Sequence, residues 1–353
     1  MWIKPDHACL QYCGRIDFED MQSPEFVYPC SSVAVRVSGR SLMVKVSNRQ
    51  AYWDNYLGYI IDGKQGVIRL PRTEYEVVLP LAEQLADGMH EVLLFKRQDS
   101  CHTFRFYGFL AEDGAVVECP APLPARKIEV YGDSVSAGEV SEAVEFTGKE
   151  DPVHNGEYSN SYYSYAWMTA RNLKAQIHDI AQGGIALLHG TGWFMEPDYM
   201  GMEEIYDKIQ YQPQLGPQKQ WDFNRYRPHV VIVAIGQNDS HPEDYMAEDY
   251  DGAKAVKWRE HYKGFIRRLR QIYPKAALVL ATTILNHDSN WDRAIGETAG
   301  ELRKEDGNLY HFLYSNNGRG TPGHIRIPEA EKMAAELTAF LEGLGEGIWT
   351  EEG

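Results

Sequence analysis

Residues 127–138 read KIEVYGDSVSAG, a strand pattern followed at once by a glycine, an aspartate and a serine. The alternation over residues 127–131 predicts a strand, and the small residues around Ser134 predict a turn into a helix. A serine in such a turn has an exposed hydroxyl, and its backbone N–H lies near a helix start, where developing negative charge is favoured. A plain helix N-cap serine would show the same pattern.

The chain beyond this stretch alternates apolar strands with helical patterns. Strands are predicted at residues 230–235 and 277–281, and helices around residues 162–173 and 257–273. Strands that are apolar throughout and separated by helices indicate a parallel sheet covered on both faces. We therefore expect an α/β domain over residues 127–353.

The first third of the chain carries short β patterns instead. Seven runs fit strands, at residues 32–37, 41–46, 56–61, 66–70, 75–79, 91–95 and 103–107. Many short strands without a convincing helix predict a β-sandwich of jelly-roll type over residues 1–119. Alternate prolines after Cys119 can continue neither a ladder nor a helix, so they predict a linker over residues 120–126.

The composition suits two globular domains. Of the 353 residues, 43% are hydrophobic and 24% are charged, so the chain can bury a core. Its 51 acidic and 35 basic residues give a formal net charge of −16, which disfavours nucleic acid and membrane partners and fits a neutral substrate. The sequence shows no signal-peptide pattern and no apolar run of about eighteen residues. A cytoplasmic protein is expected, although a trimmed secreted form would look the same.

Five cysteines stand at irregular spacing: Cys9, Cys13, Cys30, Cys101 and Cys119. An odd number without a regular spacing predicts neither a disulfide framework nor a zinc site. No metal is therefore expected in this protein.

Three further segments lie at strand ends or in nearby loops, where a parallel sheet presents its active residues. Gly183 and Gly184 follow a predicted strand and can present an N–H to an oxyanion, although a tight turn is the commoner role of such a pair. Asn238 follows the most apolar strand and could donate its amide or form an Asx turn. His324 precedes the last helical pattern and could act as a general base, although a lone loop histidine is usually inert.

The order of these segments resembles that of the SGNH, or GDSL, hydrolases. The resemblance covers roughly residues 126–345 and implies a three-layer α/β/α fold. It implies that Ser134 is the nucleophile and His324 the base. The N–H groups of Ser134 and Gly184 and the amide of Asn238 would form the oxyanion hole, with Gly183 as the alternative to Gly184.

The N-terminal third of the chain resembles a domain that occurs in one particular family of these hydrolases. Its segments at residues 14–18, 68–70 and 87–92 look like the jelly-roll domain that precedes the SGNH domain in carbohydrate esterase family 2. The resemblance implies a serine esterase that removes acetyl groups, without a cofactor, from plant polysaccharides or oligosaccharides of mannan or xylan type. The expected partner is an acetylated carbohydrate, and the sequence sets no expectation for the oligomeric state.

One position departs from the SGNH pattern. The aspartate that commonly stands three residues before the histidine is Thr321 here, and threonine cannot stabilise an imidazolium as a carboxylate does. The resemblance to family 2 accommodates this change, because those esterases are known to work with a serine–histidine dyad. A backbone carbonyl or another side chain is expected to hold His324, with Asp288 and Asp292 as candidate stand-ins.

Aromatic residues in two connections are candidates for stacking on sugar rings. Trp193 lies in the long connection over residues 189–228, and Trp291 lies in a predicted loop over residues 286–292. Packing beneath the loops is the alternative role of these side chains.

Two other functions share these features. The SGNH fold also hosts lipases and thioesterases, which would need an extended apolar acyl pocket. A non-catalytic carbohydrate-binding protein is the second alternative, and Thr321 is the one feature that favours it.

Overall fold

Two antiparallel sheets form the first part of the chain in the computed structural model, which describes residues 1–350. The last three residues of the predicted domain 127–353 therefore lie outside the described residues. The strands of the two sheets are β1 (Trp2–Ile3), β2 (Gln11–Cys13), β3 (Ile16–Asp17), β4 (Glu25–Phe26), β5 (Ser32–Ser38), β6 (Leu42–Gln50), β7 (Tyr56–Ile61), β8 (Lys64–Arg69), β9 (Val77–Ala82), β10 (Met89–Lys96), β11 (His102–Ala111) and β12 (Val117–Glu118).

The two sheets enclose an apolar core between them. One has the order β3-β4-β11-β6-β9 with β1 beside β11, and the other has the order β12-β5-β10-β7-β8 with β2 beside β5. Alternate residues of β5 face inward, so that Val33, Val35 and Val37 are each at most 2% exposed. The predicted β-sandwich is confirmed.

Five parallel strands form the sheet of the second part, in the order β14-β13-β17-β18-β19, and β15 and β16 form a separate pair. The strands are β13 (Arg126–Gly132), β14 (Ala175–Ala181), β15 (Lys208–Gln210), β16 (Lys219–Gln220), β17 (Val230–Ala234), β18 (Ala277–Ala281) and β19 (Leu309–His311). Gly132 at the end of β13 pairs with Ala181 on one side and with Ala234 on the other. The strand order reverses at β13, which is where ligands bind in sheets of this kind.

Helices cover both faces of the parallel sheet. They are α1 (Ser134–Ala137), α2 (Tyr165–Asn172), α3 (Met202–Ile205), α4 (Tyr245–Glu248), α5 (Ala253–Ile272), α6 (Ser289–Leu302) and α7 (Ile327–Gly343). Short 3₁₀ helices span Val144–Phe146, Ser161–Tyr163, Pro213–Leu215, Phe223–Arg225, Gln237–Ser240 and Glu346–Trp349. Helices α2 and α7 pack together on one face, and α5 and α6 pack on the other.

This arrangement buries every residue of β17 and β18, which explains their apolar composition. The predicted three-layer α/β/α fold is confirmed. Within residues 1–350, no helix combines the length and the apolar content that crossing a membrane requires.

A buried ion pair fastens the sandwich to the α/β part. Arg15 donates to the carbonyl oxygens of Tyr206 at 2.7 Å and Lys208 at 3.0 Å. Its guanidinium also lies 3.5 Å from the carboxylate of Glu129 in β13, and both side chains are fully buried. The sandwich is therefore packed against the sheet that carries the candidate site.

The spacing of the cysteines predicts no disulfide framework, but the structure contains one disulfide. Cys9 and Cys119 are disulfide-bonded, which joins the segment before β2 to the residue that precedes the proline-rich stretch. Cys13, Cys30 and Cys101 are free. The bonded residues are 110 positions apart, so their spacing along the chain could not reveal the pair that the sandwich brings together.

Candidate active site

Ser134 begins α1 directly after β13. The carboxylate of Asp133 caps this helix by accepting a hydrogen bond from the N–H of Val135 at 3.0 Å, which holds the turn in place. The Ser134 N–H stands at the first helical position, and it has no acceptor within residues 1–350. The side chain lines a cleft that His324 also lines.

His324 lies in the loop before α7, and its ring is oriented by a carboxylate. Its Nδ1 is 2.6 Å from Oδ2 of Asp151, and its backbone N–H donates to Oδ1 of the same residue at 3.2 Å. This contact assigns the Nδ1 proton to the Asp151 bond and leaves Nε2 as the basic nitrogen.

Two neighbours hold Asp151 in this position. The buried guanidinium of Arg326 donates to Asp151 Oδ1 at 2.8 Å. Gly323 has a φ of +76°, and a Cβ there would lie 2.6 Å from the Asp151 carboxyl carbon, so a larger residue would exclude the carboxylate. Burial raises the pKa of Asp151, but His324 and Arg326 outweigh that effect and lower it to about 2. Asp151 is therefore ionised at neutral pH.

Nearby carboxylates shift the pKa of His324. Burial lowers the pKa of His324, but the charges of Glu139, Asp151 and Asp133 and the hydrogen bond to Asp151 raise it above its ordinary value. A histidine that acts as a general base becomes an imidazolium when it takes the proton of a serine, and these carboxylates would stabilise that form.

Thr321 and the two candidate stand-ins lie elsewhere. The Thr321 hydroxyl accepts a hydrogen bond from the N–H of Gly148 at 2.8 Å. Asp288 caps α6, and Asp292 lies 3.0 Å from Nε2 of His287. The choice of Asp288 or Asp292 as stand-in was therefore wrong, whereas the wider expectation of another side chain fits Asp151.

The glycine pair offers one free N–H. Gly183 donates its N–H to Oδ2 of Asp99 at 2.7 Å, whereas the N–H of Gly184 has no acceptor among residues 1–350. Gly184 has a φ of +70°, and a Cβ there would lie 2.8 Å from the Cβ of Trp193, so both conformation and space favour glycine. The geometry favours Gly184 over Gly183 as the second oxyanion donor beside Ser134.

Asn238 lies in the 3₁₀ helix after β17 and lines the same cleft. Its Nδ2 donates to Oδ2 of Asp133 at 3.0 Å and to the carbonyl oxygen of Ile185 at 3.1 Å. An amide carries two hydrogens, and both have acceptors here. One of them must be shared or released when the amide donates to an oxyanion.

A loop of the β-sandwich holds residues 182–184, which are called the oxyanion segment below. Asp99, in the loop between β10 and β11, accepts from Nε2 of Gln182 at 2.7 Å as well as from Gly183, and its other oxygen accepts from the N–H of Cys101 at 3.0 Å. The Ser100 hydroxyl donates to Oε1 of Gln182 at 2.8 Å. The sandwich therefore takes part in the construction of the site.

The cleft above Ser134 has a volume of about 700 Å³ and an aromatic lining. Trp193 is 56% exposed and stacks on His241 with ring centroids 3.3 Å apart. Tyr52 and Trp53, between β6 and β7 of the sandwich, line the same cleft. Both parts of the chain thus supply aromatic rings of the kind that stack on the apolar faces of sugars.

Trp291 does not line this cleft, and its predicted role was wrong. It lies in the first turn of α6 rather than in a loop, and it is 0% exposed. Its ring packs 5.3 Å from that of Trp258, and its Nε1 donates to Oδ1 of Asp244 at 3.0 Å. The helix turns the indole into the core, which is the alternative role that the sequence left open.

Sequence reasoning missed Asp99, Asp151, Tyr52 and Trp53. Asp151 is 173 positions from His324, and Asp99 is 84 positions from Gly183, so no local pattern marks either contact. The missing aspartate at Thr321 was the only signal that a carboxylate had to come from elsewhere.

Comparisons with known proteins agree with this architecture. A family model described as "Carbohydrate esterase 2 N-terminal" matches residues 12–121. The chain is 30% identical to an acetylxylan esterase / glucomannan deacetylase of Cellvibrio japonicus, over 94% of this chain and 88% of that protein. It is 29% identical to the cellulase/esterase CelE of Acetivibrio thermocellus over 96% of this chain, which spans only 40% of the length of CelE.

A solved structure shares the whole two-part fold. A family two carbohydrate esterase from Clostridium thermocellum in complex with cellohexaose matches with a TM-score of 0.80 and 25% identity, over 97% of this chain and 100% of that one. The similarity to the Cellvibrio protein extends over both the sandwich and the α/β part. By this extent of similarity, the chain belongs to carbohydrate esterase family 2.

Proposed function

We propose that this protein is a serine esterase that removes O-acetyl groups from plant polysaccharides or their oligosaccharides, of mannan or xylan type. The observation that carries the proposal is a single cleft with Ser134 and His324, in which Asp151 orients the histidine. Gly184 lines the same cleft, and the N–H groups of Ser134 and Gly184 have no acceptor within residues 1–350. The names of the Cellvibrio relative and of the cellohexaose complex support the substrate class.

The first half of the reaction transfers the acetyl group to the enzyme. Ser134 Oγ attacks the acetyl carbonyl carbon while His324 Nε2 takes the hydroxyl proton. The negative charge that develops on the carbonyl oxygen is stabilised by the N–H groups of Ser134 and Gly184 and by the Asn238 amide. The intermediate then collapses: the bond to the sugar oxygen breaks, that oxygen takes the proton from His324, and acetyl-serine remains.

The second half releases acetate. His324 Nε2 takes a proton from a water molecule, whose oxygen attacks the acetyl carbon in the same oxyanion hole. When the second intermediate collapses, Ser134 Oγ leaves and recovers its proton from His324. Asp151 keeps its charge throughout and stabilises each imidazolium as it forms.

The test is acetate release from acetylated glucomannan and acetylated xylan by the native protein and by Ser134→Ala. Removal of the nucleophile should lower the rate by about 10³-fold to 10⁶-fold. Ser136→Ala is the matched control, because its hydroxyl is hydrogen-bonded to that of Tyr165 at 2.8 Å inside the protein. This control should retain acetate release.

Each other outcome points to a different function. Activity that is confined to esters of long acyl chains, and rises with chain length, would replace the proposal with a lipase or thioesterase. Binding of glycans without hydrolysis of any ester would replace it with a carbohydrate-binding protein. Full acetate release by Ser134→Ala would refute the assignment of the nucleophile.

A further inference from the structure

Glu139 is a buried carboxylate that the reaction described above does not use. It follows α1, its side chain is only 9% exposed, and it lines the cleft. Its Oε1 lies 3.8 Å from Nε2 of His324. Its Oε2 lies 2.5 Å from the point that a Cβ on Gly183 would occupy. Glu139 therefore stands between the base and the oxyanion segment.

Neither oxygen of Glu139 accepts a hydrogen bond within the part of the chain that the structure describes. The neighbouring carboxylates differ, because Asp99 accepts from Gly183, Gln182 and Cys101. A carboxylate that is nine-tenths buried and lacks a hydrogen-bond donor is costly to keep, and the imidazole of His324, 3.8 Å away, compensates only part of that cost. Its position in the cleft indicates that the missing donor arrives with a ligand.

The geometry of the reaction indicates which group donates to Glu139. His324 Nε2 returns the proton to the sugar oxygen, so this oxygen must come within hydrogen-bond reach of Nε2. Glu139 Oε1 is 3.8 Å from the same nitrogen, so another oxygen of the same sugar residue falls within its reach. Sugar hydroxyls are donors, and bonds from O–H to a carboxylate are short and strong.

We propose that Glu139 is a specificity-determining residue whose carboxylate accepts a hydrogen bond from a free hydroxyl of the sugar residue that carries the acetyl group. This inference rests on the proposed function and adds a requirement to it. An acetyl ester whose sugar lacks that hydroxyl leaves Glu139 unpaired in the complex and is a poorer substrate.

The test combines changes in the substrate with changes in the protein. The acetylated methyl mannoside that the native protein hydrolyses fastest is compared with analogues in which each remaining hydroxyl in turn is replaced by hydrogen. kcat/KM is measured for the native protein, Glu139→Ala and the control Glu145→Ala, which removes an exposed carboxylate nearby. Burial raises the pKa of Glu139 against the opposing effect of His324. The rates are therefore compared at about pH 8, where a carboxyl group with a raised pKa is more fully ionised than at neutral pH.

For the native protein and for Glu145→Ala, one deoxy analogue should lose about tenfold or more in kcat/KM. For Glu139→Ala, the loss on the same analogue should shrink to about twofold or less. An effect of the variant on His324 or on folding alters the rates on both substrates alike and cancels in the ratio. A structural role for Glu139 would therefore leave the ratio unchanged.

An unchanged ratio in Glu139→Ala overturns the assignment, and so does a native protein that is insensitive to every hydroxyl. If Glu139→Ala does not fold, Glu139→Gln takes its place; it keeps one acceptor oxygen and should weaken the discrimination, and no change would again overturn the assignment. Native protein that hydrolyses 4-nitrophenyl esters but no acetylated sugar would refute the proposed function, and this inference with it. Hydrolysis of acetylated sugars that shows no effect of Glu139 refutes the inference alone.

Discussion

Asp151 supplies the negative charge that Thr321 cannot. The carboxylate approaches His324 from a loop after α1, at 2.6 Å from Nδ1, through space that Gly323 leaves open. The function of a triad aspartate depends on where its oxygens lie and on its charge, and its position along the chain does not matter. A threonine at the usual position is therefore compatible with an efficient base.

Asp151→Asn should lower kcat by about 10²-fold to 10⁴-fold, because an amide no longer stabilises the imidazolium. The base works only when it is neutral, and Asp151 helps to raise the pKa of His324. Loss of that charge lowers this pKa, so the acid limb of the kcat/KM profile should move to lower pH. Steady-state kinetics across pH measure both effects.

Asp288→Asn is the control for this change, because Asp288 caps α6. It should keep the native pH profile. Loss of activity in Asp288→Asn with an active Asp151→Asn would contradict the assignment of Asp151.

Asn238→Ala should lower kcat by about 10²-fold to 10³-fold, since the oxyanion loses a donor from a preorganised site. KM should change less, because the ground-state carbonyl carries little charge. The measurement is kcat and KM on one acetylated substrate, with circular dichroism to check the fold. A rise in KM at constant kcat would assign Asn238 to substrate binding instead.

At the scale of elements, two loops that belong to different parts of the chain are in contact beside the site. The loop between β10 and β11 of the sandwich holds the loop after β14 through Asp99, Ser100 and Gln182. Gly183 is tied down by this contact, which leaves the N–H of Gly184 free for the substrate. The oxyanion segment is therefore positioned by its neighbour as well as by its own strand.

Asp99→Ala should lower kcat about tenfold or more with a smaller change in KM, because a small displacement of an oxyanion donor weakens transition-state binding. Asp87→Ala, which removes an exposed carboxylate of the same domain, is the matched control and should behave like the native protein. Equal kcat values for Asp99→Ala and the native protein would show that β14 alone positions Gly184.

At the scale of the whole molecule, buried polar contacts join the sandwich to the α/β part. The buried pair of Arg15 and Glu129 joins them, and Tyr273 donates its hydroxyl to the same carboxylate at 2.6 Å. A charge in such surroundings is tolerated only while its partner is present.

Arg15→Ala should lower the free energy of unfolding by about 3–5 kcal/mol, because Glu129 is left buried with an uncompensated charge. Arg36→Ala removes an ion pair with Glu118 on the surface and should cost about 1 kcal/mol or less. Urea denaturation of both variants gives the comparison. Equal losses would mean that the Arg15 pair does not contribute more than a surface pair.

The disulfide between Cys9 and Cys119 also bears on the whole molecule. Disulfides are rare in cytosolic proteins, whose thiols are kept reduced, and the cytoplasmic location expected from the sequence stays a prediction.

Much of the fold could be predicted because strand and helix patterns are local. Val230–Ala234 is apolar throughout because both of its faces are covered, and this pattern is visible without coordinates. Ser134 and His324 could be proposed because the order of their segments resembles that of the SGNH hydrolases. The burial of Trp291 could not be predicted, because the sequence does not show that it lies in the first turn of α6 or which side of that helix faces the core.

The sequence by itself determined the two-part architecture, since strand and helix patterns are a few residues long, and the resemblance to the SGNH hydrolases indicated which residues to expect at the site. Only the tertiary structure decided which groups complete the site. Asp151, Asp99 and Glu139 come from segments far along the chain from the groups that they face. Hydrogen bonds and charges act over a few ångströms of space whatever the separation along the chain, so these partners meet only once the chain has folded.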